Sequence, residues 1–142
     1  MPLSKRIRYE AIICCNCSDE QLSAAGASIL SALSEHFGGA SMLPCTGAWA
    51  ANGNDVANRY RSVQVHSGVM ILLSVPQHQA DQAYQVLTTT IALAVRQHNL
   101  PARYIHVDGF EARAFHFDVD TMSLCGARDI APVTMVDVLS GQ

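Results

Sequence analysis

Between residues 63 and 75 the chain places an apolar side chain at almost every second position: Val63, Val65, Val69, Ile71, Leu73 and Val75. Ser62, Gln64, His66, Gly68, Met70, Leu72 and Ser74 occupy the alternate positions. Successive strand side chains point to opposite faces, so this spacing demands a strand with one face in a core. Only Ser67 interrupts the apolar face. A straight strand of this length spans about 40 Å, roughly twice the common length. A bend, bulge or tight turn is therefore expected at Ser67-Gly68. Such a strand needs neighbouring strands and elements that cover its apolar face.

The flanking sequence supplies both. Residues 9–15 read as a strand. Ser18 is placed to cap a helix, with Gln21 completing a capping box and Asp19 and Glu20 at the positive end of the helix dipole. Leu22, Ala25, Ile29, Leu30, Leu33 and Phe37 recur at helical spacing, and Gly38 and Gly39 stop the helix. Residues 40–49 read as a second extended segment. Pro44 and Gly47 interrupt it, which places it at a sheet edge or at a bulge. The run Asn52-Gly53-Asn54-Asp55 predicts a loop. Pro76 opens a second helix of about 22 residues, with Ala80, Ala83, Tyr84, Leu87, Ile91, Ala94 and Val95 as its buried stripe and Asn99 and Pro101 at its end. Residues 103–107 read as a strand. Asp108-Gly109 reads as a hairpin turn and residues 110–119 as the partner strand. Residues 133–139 form a last strand or a short helix.

This order predicts an α+β fold: a ferredoxin-like βαββαβ sandwich with an antiparallel sheet and a C-terminal strand extension. The expected domain is single, spanning 1–142, with its core at about 9–108 and a hairpin extension at 109–142. Both helices belong on one sheet face. The other face must be covered by the extension, by another subunit or by a ligand.

Composition narrows the function classes. Hydrophobic residues make up 49% and charged residues 15% of the chain, against a usual quarter charged. That excludes a disordered chain and a coiled coil, and it suggests a homo-oligomer, dimer or trimer, in which a second subunit covers apolar surface. Nine basic residues face twelve acidic ones, with no basic stripe, so no nucleic-acid partner is expected. The longest apolar stretch, 69–75, is far shorter than a membrane span, and no membrane partner is expected. With no targeting segment in view, the expected location is cytoplasmic. Five cysteines, three of them clustered as Cys14, Cys15 and Cys17, do not form a disulfide framework.

Phe37-Gly38-Gly39-Ala40, then Pro44-Cys45-Thr46-Gly47-Ala48-Trp49, an Asn/Gly loop and a valine-rich strand resemble small bacterial ferredoxin-like proteins, among them relatives of the PII signalling proteins and the CutA proteins. The resemblance covers about residues 9–108. It implies trimers that bind nucleotides or small anions near the loop after the second strand. This chain has no glycine-rich phosphate loop and no Lys/Arg cluster to hold a triphosphate, so a nucleotide is not carried over.

The candidate ligand site is the end of the hairpin between the second and third strands, near a subunit boundary. Trp49 offers a flat apolar wall, Gly47 allows close backbone approach, Arg59 and Arg61 supply charge for a small anionic molecule, and His66 supplies a hydrogen bond. The rival reading is a metal- or thiol-dependent enzyme built from Cys17, His66 and His106. Cys14 and Cys17 make a Cys-x-x-Cys pair, but Cys45 and Cys125 stand apart from it, so no second ligand pair completes a zinc motif. Cys17, just before the helix cap, is the preferred reactive thiol. His116, Asp118 and Asp120 would share one face of a strand as a loose His–carboxylate group. No Gly-x-Ser-x-Gly elbow and no convincing carboxylate pair appear, so no catalytic residue is assigned and no particular cofactor is indicated. The sequence thus favours a cytoplasmic oligomeric module that binds a small molecule or a protein. A purely structural assembly module is the third reading.

Overall fold

The structure, a computed structural model, describes residues 4–123. Leu3–Ala114 form one compact unit. In it β1 (Ser4–Cys14), α1 (Asp19–Phe37), β2 (Ser41–Trp49), β3 (Gln64–Pro76), α2 (Ala80–Gln97) and β4 (His106–Ala114) follow in order. The sheet order is β2-β3-β1-β4, and all three pairings are antiparallel. This is the ferredoxin-like arrangement. β3 and β1 lie at the centre.

Local chemistry starts and stops α1 as the sequence predicts. The Gln21 backbone N–H donates to Ser18 Oγ at 3.1 Å, and the Ser18 N–H donates to Gln21 Oε1 at 3.2 Å. Gly38 ends the helix with φ 85°, a left-handed conformation that costs glycine little, and its N–H donates to Ser34 O. α2 is entered through a 3-10 turn at Gln77–Gln79, so Pro76 closes β3 rather than opening the α-helix. Beyond α2, Asn99 takes φ 53°, and the Leu100 N–H returns to Val95 O at 2.9 Å.

The core lies between one sheet face and the two helices. Ala11 and Ile13 of β1, and Val69, Ile71, Leu73 and Val75 of β3, meet Leu22, Ala25, Ile29 and Leu33 of α1 and Ala83, Leu87, Ile91, Ala94 and Val95 of α2. Each fully buried aliphatic side chain contributes about 1.5–3 kcal/mol relative to exposure. Tyr84, expected in the buried stripe, is instead exposed; its ring lies 6.0 Å from that of Tyr9.

Two expected interruptions of the strands are absent. β3 runs through Ser67-Gly68 in unbroken register with β2, while its pairing with β1 ends at Gly68, so no turn occurs there. Its 13 residues extend about 43 Å, whereas the helices, of 19 and 18 residues, are about 28 Å long. The start of β3 therefore projects past the helices, and Val63 and Val65 are exposed rather than core residues. Asp108-Gly109 is likewise not a turn. It lies within β4, where Gly109 pairs with Tyr9. A Cβ at position 109 would sit 2.9 Å from Tyr9 Cε1. The glycine makes room for that ring, whose hydroxyl donates to Ala80 O at 2.9 Å. Residues 109–114, expected to begin a hairpin extension, thus complete the four-stranded sheet.

The described residues past Ala114 belong to a second unit. Residues 115–118 are irregular and 119–121 form a turn, with the Asp120 N–H on Asp118 Oδ1 at 2.9 Å. His116, Asp118 and Asp120 are therefore not aligned on a strand. Cys125 and the element expected at 133–139 lie outside the described residues. Among the described residues, no helix is long and apolar enough to cross a membrane.

The projecting hairpin makes a direct test. Ile71→Ala is expected to cost about 2–5 kcal/mol, while Val65→Ala, on the same strand and the same face, should cost less than about 1 kcal/mol. Urea denaturation of both variants reads the difference. Comparable losses would mean that the helices reach the hairpin.

Candidate functional site

The sheet face turned away from the helices carries Leu43, Cys45, Gly47 and Trp49 of β2, His66, Gly68, Met70 and Leu72 of β3, Ile12 and Cys14 of β1, and His106 and Phe110 of β4. Strand alternation and register place them together. Leu43 and Trp49 are 50% and 44% exposed. Towards β4 the face turns polar. Arg8 Nε lies 3.3 Å from Glu10 Oε1, an ion pair without hydrogen-bond alignment. Arg6 donates from Nε to Ser74 Oγ and from Nη2 to Ser74 O.

One row across this face is unusual. Gly68 pairs with Cys14 on one side and with Cys45 on the other. A Cβ at position 68 would overlap the Cys14 sulfur. With no side chain there, the two cysteines lean over the glycine, and their sulfurs lie 3.9 Å apart. Gly47 borders the same space: a Cβ there would sit 2.7 Å from Cys14 Sγ and 3.1 Å from Trp49 Nε1. Burial first, then the neighbouring Cys45 thiol, push the Cys14 pKa up to about 11, against smaller opposing contributions from the Trp49 indole N–H and the Gly47 backbone. Both cysteines are free thiols. Two strand spacings put their Cα atoms about 9.5 Å apart, beyond the roughly 7 Å that a disulfide spans.

The Cys-x-x-Cys pair is split by the strand end. Cys14 faces the open side, whereas Cys15 is turned into the core, where burial and then Cys17 push its pKa up to about 12. Cys17 follows in a tight turn with its sulfur 3.4 Å from that of Cys15. The trio Cys17, His66 and His106 does not converge. His106 lies on β4 opposite Ile12, with Nε2 3.0 Å from Asp108 Oδ1. His66 lies two strands away and further along, at a separation of about 15 Å, with Nε2 3.2 Å from Gln64 Oε1. Among the described residues no group of three or more His, Cys, Asp or Glu side chains is placed to hold a metal.

The five ligand-site residues fall into two adjoining groups. Gly47, Trp49 and His66 border the cysteine row, with Gly47 directly paired to His66. Arg59 and Arg61 sit in the loop beyond Trp49, which Asn52 holds closed. Asn52 Oδ1 accepts from the Arg61 N–H at 2.9 Å, Asn52 Nδ2 donates to Arg59 O at 3.3 Å, and the Ala51 N–H donates to Arg61 O. Both arginines line a concavity of about 580 Å³ together with Asn52, Asp55 and Asn58. Trp49 is not part of its wall.

Two features escape the sequence reading. The Cys14–Cys45 approach exists only once three strands are in register. A groove of about 590 Å³ between α2 and β4, with Ile91 and Val95 in its wall and Arg96, Arg103 and His106 among its polar groups, was signalled only by Tyr84, Thr88, Ala92 and Arg96 recurring every fourth residue on a second helix face.

No protein-family model matches the chain, and no curated protein matches it. Among solved structures it is similar to a hydantoinase/carbamoylase family amidase from Burkholderia ambifaria, at 12% identity and TM-score 0.39, over 78% of this chain and 28% of the amidase. It is also similar to B. subtilis GlnK in complex with ATP, at 9% identity and TM-score 0.34, over 82% of this chain and 91% of GlnK. The chain spans little more than a quarter of the amidase's length. The fold assignment rests on strand order and register, not on these likenesses.

The thiol chemistry is measurable. At pH 8 a thiol titrating near 11 is about 0.1% ionised, against about a quarter for an ordinary thiol near 8.5. Cys14 should therefore alkylate with iodoacetamide about a hundredfold more slowly than a model-peptide cysteine, with a rate that still climbs tenfold per unit to pH 9.5. A rate that levels off near pH 8.5 would contradict this. Because the folded value is raised, this thiol's contribution to stability is intact below about 8.5 and is lost as pH rises towards 11.

Proposed function

We propose that this chain is an oligomeric binding module: one ferredoxin-like domain that associates with copies of itself through the open sheet face and takes a small anionic molecule at the β2–β3 hairpin. The observation that carries the reading is the apolar half of that face. Leu43 and Trp49 are exposed, and Ile12, Met70 and Leu72 are half-buried. Four strands about 4.8 Å apart and about 30 Å long present roughly 600 Å², so two copies would bury about 1,200 Å², the lower limit of a standard interface. The low content of charged residues, 15% of the chain, supports the same reading.

For the ligand, the support is the closed loop that holds Arg59 and Arg61 on a concavity whose wall begins at Ala51, two residues beyond the exposed Trp49. Guanidinium groups suit oxyanions such as carboxylates and phosphates. Gly47 and His66 border the Trp49 side of the site. The free thiols fit a reducing compartment such as the cytoplasm.

Light scattering at tens of micromolar is expected to give a dimer or trimer of the 15.3 kDa chain. Leu43→Glu, a change at an exposed position, should return it to the monomer without unfolding. Trp49 is the sole tryptophan, so its emission reports the hairpin alone. Titration with inorganic phosphate or citrate should shift that emission, and Arg59→Ala should abolish the shift. A monomer in the unaltered protein overturns the assembly half of the proposal, and unresponsive emission overturns the ligand half.

A further inference from the structure

We propose that Cys14 and Cys45 form a two-thiolate site for a soft d10 metal ion of the copper(I) class, built across Gly68 on the open sheet face. This inference rests neither on self-association nor on the anion site. Its basis is the 3.9 Å separation of two free sulfurs reaching from opposite sides over a position that has no side chain. Metal–thiolate bonds of about 2.3 Å put two sulfurs on one metal about 3.8 Å apart at a tetrahedral angle, and about 4.6 Å apart when the three atoms are linear. The thiols already stand within that range.

The backbone preserves the pair for a metal. Because β3 lies between β1 and β2, the two Cα atoms are too far apart for the sulfurs to close into a disulfide without moving strands. The donor set selects the ion. Zinc in a structural site takes four ligands, and among the described residues no third or fourth His, Cys, Asp or Glu completes such a group. Two thiolates without harder donors suit copper(I) or silver(I). Binding converts two thiols and one monovalent ion into a dithiolate complex of charge −1 and releases two protons. Affinity must therefore rise with pH. Cys15 and Cys17 are the competing pair, with sulfurs 3.4 Å apart. Cys15, however, is only 5% exposed and sits in the core, so ionising and metallating it would bury charge among aliphatic side chains.

The test uses the full reduced chain under anaerobic conditions, titrated with copper(I) against a chromogenic copper(I) chelator and, separately, with silver(I). The expected result is one ion bound per chain with quenching of Trp49. Its indole nitrogen and the Cys14 sulfur border the same small space over Gly47, so an ion on that sulfur lies beside the ring. Cys14→Ser and Cys45→Ser should each weaken binding at least about a hundredfold, the usual gain from a second tethered donor. Cys17→Ser should leave binding unchanged. X-ray absorption of the unaltered copper(I) protein, which needs no variant to fold, should count two sulfur neighbours. Affinity that survives Cys14→Ser or Cys45→Ser, loss that follows Cys17→Ser, or failure to compete with the chelator would each overturn the proposal.

Discussion

Every feature of this molecule depends on β3 pairing without a slip along two neighbours at once. Its register with β1 turns Val69, Ile71, Leu73 and Val75 towards the helices together with Ala11 and Ile13. Its register with β2 brings Cys45 beside Gly68 on the opposite face. A shift by one residue would send the aliphatic row to the open side and the polar row under the helices, a loss of many kcal/mol. The hydrophobic core and the cysteine row are thus two consequences of a single register. The core fixes it, and the row inherits it.

Much of the fold is written in local chemistry. The alternation that ends in Val75, the capping box at Ser18 and Gln21, the left-handed Gly38 and, Tyr84 apart, the apolar stripe of α2 are short-range signals, and each forms where the sequence places it. Pro44 signals a sheet edge, and β2 is an edge strand. The misread positions share one cause. Asp108-Gly109 and Ser67-Gly68 have the composition of turns, but their glycines answer a crowding that arises only in the folded sheet: the Tyr9 ring over Gly109 and the Cys14 side chain over Gly68. A sequence window cannot separate a glycine that bends the chain from one that admits a neighbour. The exposure of Val65 has a related cause: alternation reveals which way a residue points but not how far the helices reach.

The candidate site is less legible than the fold. Cysteines close in sequence suggest a motif, yet a strand end separates Cys14 from Cys17 and turns Cys14 and Cys15 to opposite faces. The partner that Cys14 meets is 31 positions away. Trp49 and Gly47, which the sequence suggests for an anion site, both border that meeting point. Arg59 and Arg61 remain near the hairpin as expected, but the Asn52-closed loop gives them a concavity of their own. His106 belongs to another strand and is engaged by Asp108.

The central claim is that the sheet, rather than the local Cys-x-x-Cys spacing, decides what Cys14 faces. Nuclear Overhauser contacts in the reduced protein test it most directly. The structure predicts contacts from the Cys14 β-protons to the α-protons of Gly47, on the strand that carries Cys45, and of Gly68. Contacts from Cys14 to Cys17, with none to Gly47 or Gly68, would show that the register is wrong and would remove the basis of both the open face and its dithiol.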